Sequence, residues 1–204
     1  MEPHYLENFI QSVFNAIGGI RGKTLVVGGD GRFFNDVAIQ IILRMASANG
    51  AAKCIVGQGG LLSTPAASHL IRLRKADGGL ILSASHNPGG ADADFGLKYN
   101  GPNGGPASEA VTDQIFERTK TIDLYQIVAA EDVDLATIGT QNLDSMVVEI
   151  VDPVSDYAEL MQTIVDFDKI RTLCAGGFTM CFDAMHAVTG PYAHAIREGL
   201  LGAA

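Results

Sequence analysis

The residues most able to do chemistry lie in one stretch, Ser83-Ala84-Ser85-His86-Asn87-Pro88-Gly89-Gly90. Gly79 to Leu82 lead into it as an apolar run, and Pro88-Gly89-Gly90 breaks the chain behind it. This pattern predicts a buried strand that ends in an exposed loop. Loops at the carboxyl ends of strands are where open α/β sheets hold ligands. The Ser85 hydroxyl is therefore a group delivered by a rigid strand to a cleft. A serine beside a histidine suggests a hydrolase nucleophile, but two features oppose that reading. Neighbours on an extended backbone point to opposite sides, which separates Ser85 from His86. The G-x-S-x-G elbow is also absent. From residue types alone, Ser85 reads equally well as a strand-end serine bonded to backbone.

Other candidates surround this loop. Lys98, in Phe95-Gly96-Leu97-Lys98, is either an acid–base group or a surface charge on a short strand. Asp92 and Asp94 read as turn formers rather than metal ligands. Asp30 and Arg32 follow a strand in Gly28-Gly29-Asp30-Gly31-Arg32, where no G-K-[ST] makes a nucleotide P-loop. Arg32 serves either the charge balance of a cleft or a pair with Asp30 that holds the turn. His69, beside Leu70 and Ile71 on a helical stretch, reads as structural. Asp183 and His186 read as interface or structural residues.

These groups need a scaffold, and the chain supplies alternating patterns for one. Apolar residues at helical spacing predict a helix over 4–17, ended by Gly18-Gly19. A strand follows at Thr24 to Val27. Asn35 is placed to cap a helix over 36–49, with Val37, Ile41, Ile42 and Met45 inward. Cys54 to Val56 is a second strand, ending at Gly57-Gln58-Gly59-Gly60. Thr64-Pro65 reads as a cap with proline in the first helical position, and that helix runs to about Ala76. Leu80 to Leu82 is the third strand. Phe95 to Tyr99 is a fourth, close enough behind it to lie antiparallel. Ser108 caps a helix over 109–120 with its own side chain. Residues 121–144 show weak periodicity. A strand at Met146 to Val151 and a helix at Val154 to Val165 follow, then a boundary at 169–177. Thr179 to Phe182 is a new strand and Thr189 to Leu201 a new helix. The βαβαββα alternation predicts a three-layer α/β/α domain with a mixed, mostly parallel sheet of about four strands. The last residues predict a truncated βα unit of a second, similar domain.

Composition narrows the function. Net charge is −9 with 47% hydrophobic residues, which argues against nucleic acid or an acidic membrane as partner. Three cysteines, Cys54, Cys174 and Cys181, form no C-x-x-C pair and suit a reducing, cytoplasmic compartment. No apolar run is long enough to span a membrane, and the first residues lack the pattern of a signal peptide.

The serine stretch together with Asp94-Phe95-Gly96-Leu97-Lys98-Tyr99-Asn100 resembles the phosphoserine loop of the α-D-phosphohexomutases. The resemblance covers nearly the whole chain. It includes His4-Tyr5-Leu6-Glu7-Asn8-Phe9, Val26-Val27-Gly28-Gly29-Asp30-Gly31-Arg32, Gly57-Gln58-Gly59-Gly60, and Leu62-Ser63-Thr64-Pro65-Ala66. It continues through Asn103-Gly104-Gly105-Pro106-Ala107, Val148-Glu149-Ile150-Val151-Asp152 and Asp183-Ala184-Met185-His186. Together these point to the phosphoglucomutase branch. The chain lacks the family's Gly-Thr-Ser-Gly-Leu-Arg segment, its Asp-x-Asp-Gly-Asp metal loop, its sugar-recognition loop and its last domain. The resemblance therefore implies residues 1–170 as the phosphoserine domain and 171–204 as the start of the next, a fragment inactive alone.

It implies, further, an intramolecular phosphotransferase of the isomerase class. That enzyme interconverts glucose 1-phosphate and glucose 6-phosphate through a phosphoserine and a glucose 1,6-bisphosphate intermediate. Ser85 would carry the phosphoryl group, with His86 and Lys98 as acid–base candidates and Asn87 and Arg32 binding phosphate. Mg²⁺ would be held partly through the phosphate on Ser85. Partners would be sugar phosphates and the remaining mutase domains. The second reading is a catalytically inactive domain of the same fold with a binding or structural role.

Overall fold

The structure, a computed structural model, describes residues 3–203; the first two residues of the expected 1–170 domain, and Ala204, lie outside the described residues. One six-stranded sheet runs through it in the order β4-β3-β1-β2-β6-β5. Its strands are β1 (Thr24–Gly29), β2 (Lys53–Leu61), β3 (Gly78–Leu82), β4 (Leu97–Asn100), β5 (Gly139–Leu143) and β6 (Met146–Val151). β1 pairs parallel with β2 and β3, and β2 pairs parallel with β6. The two edge strands, β4 and β5, are antiparallel to their neighbours. The sheet is thus mixed and mostly parallel, with six strands against the about four expected; five of the six, β6 included, read as strands from the sequence. β5 escaped the sequence because Gly-Thr-Gln-Asn-Leu carries almost no apolar alternation: it is an exposed edge held by pairing with β6.

Helices cover both faces. On one lie α1 (Tyr5–Ala16), α2 (Asn35–Ala48) and α4 (Glu109–Thr119); on the other lie α3 (Thr64–Leu73) and α5 (Ser155–Ile164). Alternate residues of each inner strand feed the two cores. Leu25, Val27, Leu80 and Leu82 pack with Ile10, Phe14, Ile39 and Ile42, whereas Val26, Ile55 and Ile81 pack with Leu62, Leu70 and Ile71. Each such fully buried aliphatic side chain contributes roughly 1.5–3 kcal/mol.

Helix boundaries show where local signals misled. α2 starts one residue early: Phe34, in a left-handed conformation (φ 74°), is the cap, and Asn35 is a buried helical residue. Of the residues expected inward, Ile42 and Met45 are fully buried, whereas Val37 is exposed and Ile41 half-buried; Ala38, Ile39, Leu43 and Ala46 complete the buried face. α3 is capped by Ser63, whose hydroxyl accepts from the Ala66 N–H at 3.3 Å, so Pro65 is the second helical residue. The helix ends at Leu73, not Ala76. Ser108 stands at the cap of α4 without a side-chain capping bond. β2 does not end at Val56 but continues through the glycines to Leu61, with a register shift against β1. A side chain at Gly57 would meet the Leu61 carbonyl, so only glycine lets the strand fold back over itself.

The end of the chain differs most. The expected boundary at 169–177 is α6 (Phe167–Ala175). Thr179 to Phe182 form no strand among the described residues; Phe178, Met180 and Phe182 are exposed, with no neighbouring strand to bond them. The βα unit is therefore present only as its helix, α7 (Thr189–Tyr192) running on as a π-helix, Ala193–Leu200. Tyr192 anchors it on the α3/α5 face. Its hydroxyl accepts from the Ser63 N–H (3.0 Å) and donates to the Pro153 carbonyl (2.8 Å), and its ring meets Tyr157 edge-on.

Cys54, fully buried in β2, has its thiol pushed up from 9.0 to about 12 by that burial. Above about pH 9 the unfolded chain loses this proton while the folded chain keeps it. The folded state then binds more protons, and its stability falls as pH rises from 9 towards 12. In native protein treated with iodoacetamide, exposed Cys181 is expected to be alkylated and Cys54 to stay unreacted until the chain is unfolded. Mass spectrometry showing both alkylated at the same rate would contradict this packing.

Candidate active site

Parallel pairing of β1 and β3 sets Gly29 beside Leu82 and brings two strand ends together. The Asp30 N–H then donates to the Leu82 carbonyl at 3.0 Å. Ser83 continues from β3, buried, its N–H bonded to the Gly96 carbonyl at 2.8 Å. The Ser83 hydroxyl accepts from the Ser85 N–H at 3.0 Å. A side chain at Gly96 would strike the Ser83 carbonyl, so the return segment lies flat against the loop only as glycine.

Ser85 itself is exposed and left-handed, with φ 58°. Such a conformation costs a non-glycine residue about 1–2 kcal/mol and persists only where its surroundings impose it. This backbone corrects the expectation that Ser85 and His86 diverge. The chain is turned here rather than extended, and the His86 Nδ1 lies 3.4 Å from the Ser85 Oγ. The turn closes with the Asn87 N–H on the Ala84 carbonyl at 3.2 Å. The Asn87 side chain donates to the Asp94 carboxylate at 2.9 Å, and the Asp94 N–H to the Pro88 carbonyl at 3.2 Å. Asp94 is thus a lock within the loop. Phe95 packs edge-on against Phe34, with centroids 5.6 Å apart, and pins the outgoing strand to the base of α2.

Arg32 crosses beneath all of this. Its side chain is only 7% exposed and forms a fork on Asp30, Nε at 3.0 and 3.1 Å and Nη2 at 2.9 Å. Nη2 also donates to the Ser85 carbonyl at 3.1 Å, and Nη1 to the Asp94 carbonyl at 2.7 Å. Burial works to raise the Asp30 pKa, but the bonds from Arg32 and Ser83, with the arginine's charge, outweigh it and hold the carboxyl below its usual value.

Lys98 stands on β4 opposite Ile81, on the face away from Leu97 and Tyr99, which pack into the core. It is exposed and has no hydrogen bond or ion pair among the described residues. Ser85, His86, Asn87 and Arg32 are therefore brought into one assembly, with Lys98 on the adjoining edge strand. His69 is half-buried on α3, away from the loop's bonds, and Asp183 accepts from the Met185 N–H at 2.8 Å in a turn of its own. Ser83 and Gly96 are the parts sequence reasoning passed over, while Asp94 reads as a turn former and bonds within the loop as one. The Ser-x-Ser spacing was the signal for Ser83, since a serine two residues back is in reach of the following backbone N–H.

Two cavities of about 720 Å³ lie nearby, the first reaching Lys98 on β4 and the second the loop itself. One opens between α1 and α4 around Phe9 and Phe116; the other lies behind the loop, against Tyr5, Phe33 and Phe95. Neither is lined by Ser85, so the serine stands on an open ledge of this chain. Among the described residues no group of three or more His, Cys, Asp or Glu is placed to hold a metal ion. Among the described residues, likewise, no helix is long and apolar enough to cross a membrane.

Comparison with known proteins accounts for the arrangement. Residues 1–126 match the family described as phosphoglucomutase/phosphomannomutase, alpha/beta/alpha domain I. The chain is 56% identical over 202 residues to a phosphoglucomutase of Rhizobium radiobacter, covering 99% of this chain and 37% of that protein. It is 51% identical over 198 residues to the phosphoglucomutase of Schizosaccharomyces pombe, covering 96% and 36%. The crystal structure of parafusin, an exocytosis-sensitive phosphoprotein and phosphoglucomutase from Paramecium in its open form, matches with a TM-score of 0.94 at 45% identity, covering 100% of this chain and 39% of that one. Plant relatives carry both cytoplasmic and chloroplastic names. This chain thus spans little more than a third of the length of its relatives. With the serine loop on the third strand of such a sheet, the chain belongs to the phosphoglucomutase/phosphomannomutase family.

Proposed function

We propose that this chain is the phosphoserine-bearing part of a cytoplasmic phosphoglucomutase that interconverts glucose 1-phosphate and glucose 6-phosphate. The observation that carries the reading is the Ser85 hydroxyl, exposed at the end of a buried strand while its backbone is fastened below. A nucleophile that must give and receive a phosphoryl group needs both features: access from solvent and a fixed position.

In the forward half, an oxygen of the sugar monophosphate attacks the phosphorus of phosphorylated Ser85. The P–Oγ bond breaks and the sugar hydroxyl loses its proton, giving glucose 1,6-bisphosphate and free serine. In the return half the Ser85 Oγ attacks the other phosphate and releases the isomer. Such transfers depend on position and charge neutralisation more than on covalent chemistry by the protein. His86 Nδ1, 3.4 Å from Oγ, is in place to exchange a proton with the serine oxygen, and Lys98 is the candidate for the proton of the sugar hydroxyl. Asn87 from within the loop and Arg32 from beneath it bound the phosphate's surroundings.

Mg²⁺, where bound, would supply positive charge to the transferring oxygens. The phosphate on Ser85 is one ligand for it. A near-octahedral shell needs further oxygens, and the described residues offer no carboxylate cluster to provide them. The described residues thus do not supply the rest of that shell, and each step above uses protein groups alone.

Two variants of the complete enzyme that contains this chain test the assignment. Ser85→Ala is expected to take no label from glucose 1,6-bisphosphate labelled in its phosphates, and to show no turnover, while wild type is labelled. Equal labelling of both proteins would remove Ser85 from the mechanism, and an unlabelled wild type would favour a module without turnover. Lys98→Met keeps most of the bulk and removes the charge; kcat is expected to fall by about 10²-fold or more. A kcat within about twofold of wild type would make Lys98 a surface charge only.

A further inference from the structure

We propose that Arg32 is a positioning residue, one that acts on phosphoryl transfer by holding the Ser85 backbone rather than by gripping the substrate. This rests on the function proposed for Ser85. Arginine is normally read at a phosphate site as a ligand with a free fork of donors. Here the fork is already occupied. Nε and one N–H of Nη2 bind the Asp30 carboxylate, the other N–H of Nη2 goes to the Ser85 carbonyl, and Nη1 reaches the Asp94 carbonyl. All but one of the guanidinium N–H groups are engaged by protein, and the side chain is 7% exposed.

The acceptors explain what the engagement does. Ser85 and Asp94 lie near the two ends of the loop that carries the nucleophile, and Asp30 is the first residue beyond β1. One planar, rigid group therefore ties both ends of the loop to the centre of the sheet. Through the Ser85 carbonyl it fixes the peptide that follows the left-handed Ser85, the conformation that also swings Oγ to within 3.4 Å of His86 Nδ1. On the other side of Ser85, its own N–H donates to the Ser83 hydroxyl at 3.0 Å. Peptide groups on both sides of Ser85 are thus held, and the ion pair holds the one that follows it. A lysine, with a single ammonium, cannot span three acceptors in a plane, so the position requires arginine.

The test has two independent arms. In the first, amide hydrogen exchange is followed in this chain for wild type, Arg32→Lys, and the charge-neutral double variant Asp30→Asn/Arg32→Gln, which leaves no unpaired buried carboxylate. Exchange over residues 83–96 is expected to speed up by about tenfold or more in both variants, the scale of one lost charge-assisted bond, with β2 and β6 unchanged. In the second, the complete enzyme carrying the same changes is expected to lose about 10²-fold in kcat with KM within about twofold of wild type, as misplacement of a nucleophile does. Loop exchange that stays at the wild-type rate, or a raised KM with kcat retained, would overturn the proposal in favour of a substrate ligand. The two readings can fail separately. If wild-type enzyme takes up no phosphoryl label, the function assigned to Ser85 fails, while the exchange arm still reports whether Arg32 holds the loop.

Discussion

The parallel register of β1 against β3 is the constraint on which the site depends. With Gly29 opposite Leu82, the first residues beyond each strand, Asp30 and Ser83, are side by side, and the Asp30 N–H bonds the Leu82 carbonyl. A shift by one residue would turn every side chain of β3 to the other face of the sheet. It would also carry Asp30 and Arg32 away from the carbonyls they hold. The cores on both faces enforce the register, because Leu80 and Leu82 belong to one and Ile81 to the other. Aliphatic packing several residues away thus fixes the place of a hydroxyl in solvent.

The ion pair at the base of the loop is a local device whose value comes from burial. Arg32 and Asp30 would contribute little as an exposed pair. With the arginine nearly covered and its remaining donors on backbone carbonyls, the same charges organise three segments: the β1 turn, the serine turn and the return at Asp94. Asn87 and Asp94 add a side-chain bond across the loop, and Phe95 on Phe34 adds an apolar one. Polar and apolar ties act on the same few residues, which is how an exposed loop keeps a strained residue such as Ser85 in place.

Much of this was legible in the residues, and the failures have physical causes. Strands β1, β3, β4 and β6 and all the larger helices announced themselves through apolar spacing and glycine stops. The antiparallel course of β4 followed from the shortness of the segment before it. The motif around Ser85 carried the family. What could not be read was conformation that tertiary bonds decide. Ser85 is turned because Ser83 and Arg32 hold its peptides, so an argument from extended backbone put His86 on the wrong side. Both functions considered for Arg32 were compatible with its type and position; only the carbonyls of Ser85 and Asp94, distant in sequence, distinguish its geometry. Thr179 to Phe182 has the composition of a strand but no partner, and composition does not make a ladder.

The pairing of β2 with β6 has a consequence for how the chain is made. β2 is laid down early, and its outer side is closed only when β6 arrives, far along the sequence and beyond the 126 residues that match the family's first domain. Until then Cys54, Ile55 and Val56 present an apolar strand with its hydrogen-bonding groups open, a template for another chain. Long-range parallel pairing is also slow to form. During synthesis, therefore, the half of the sheet that carries Ser85 is in hand well before the half that shields its far edge. In the interval between them the nascent chain presents an unpaired apolar strand, the feature that favours misassembly.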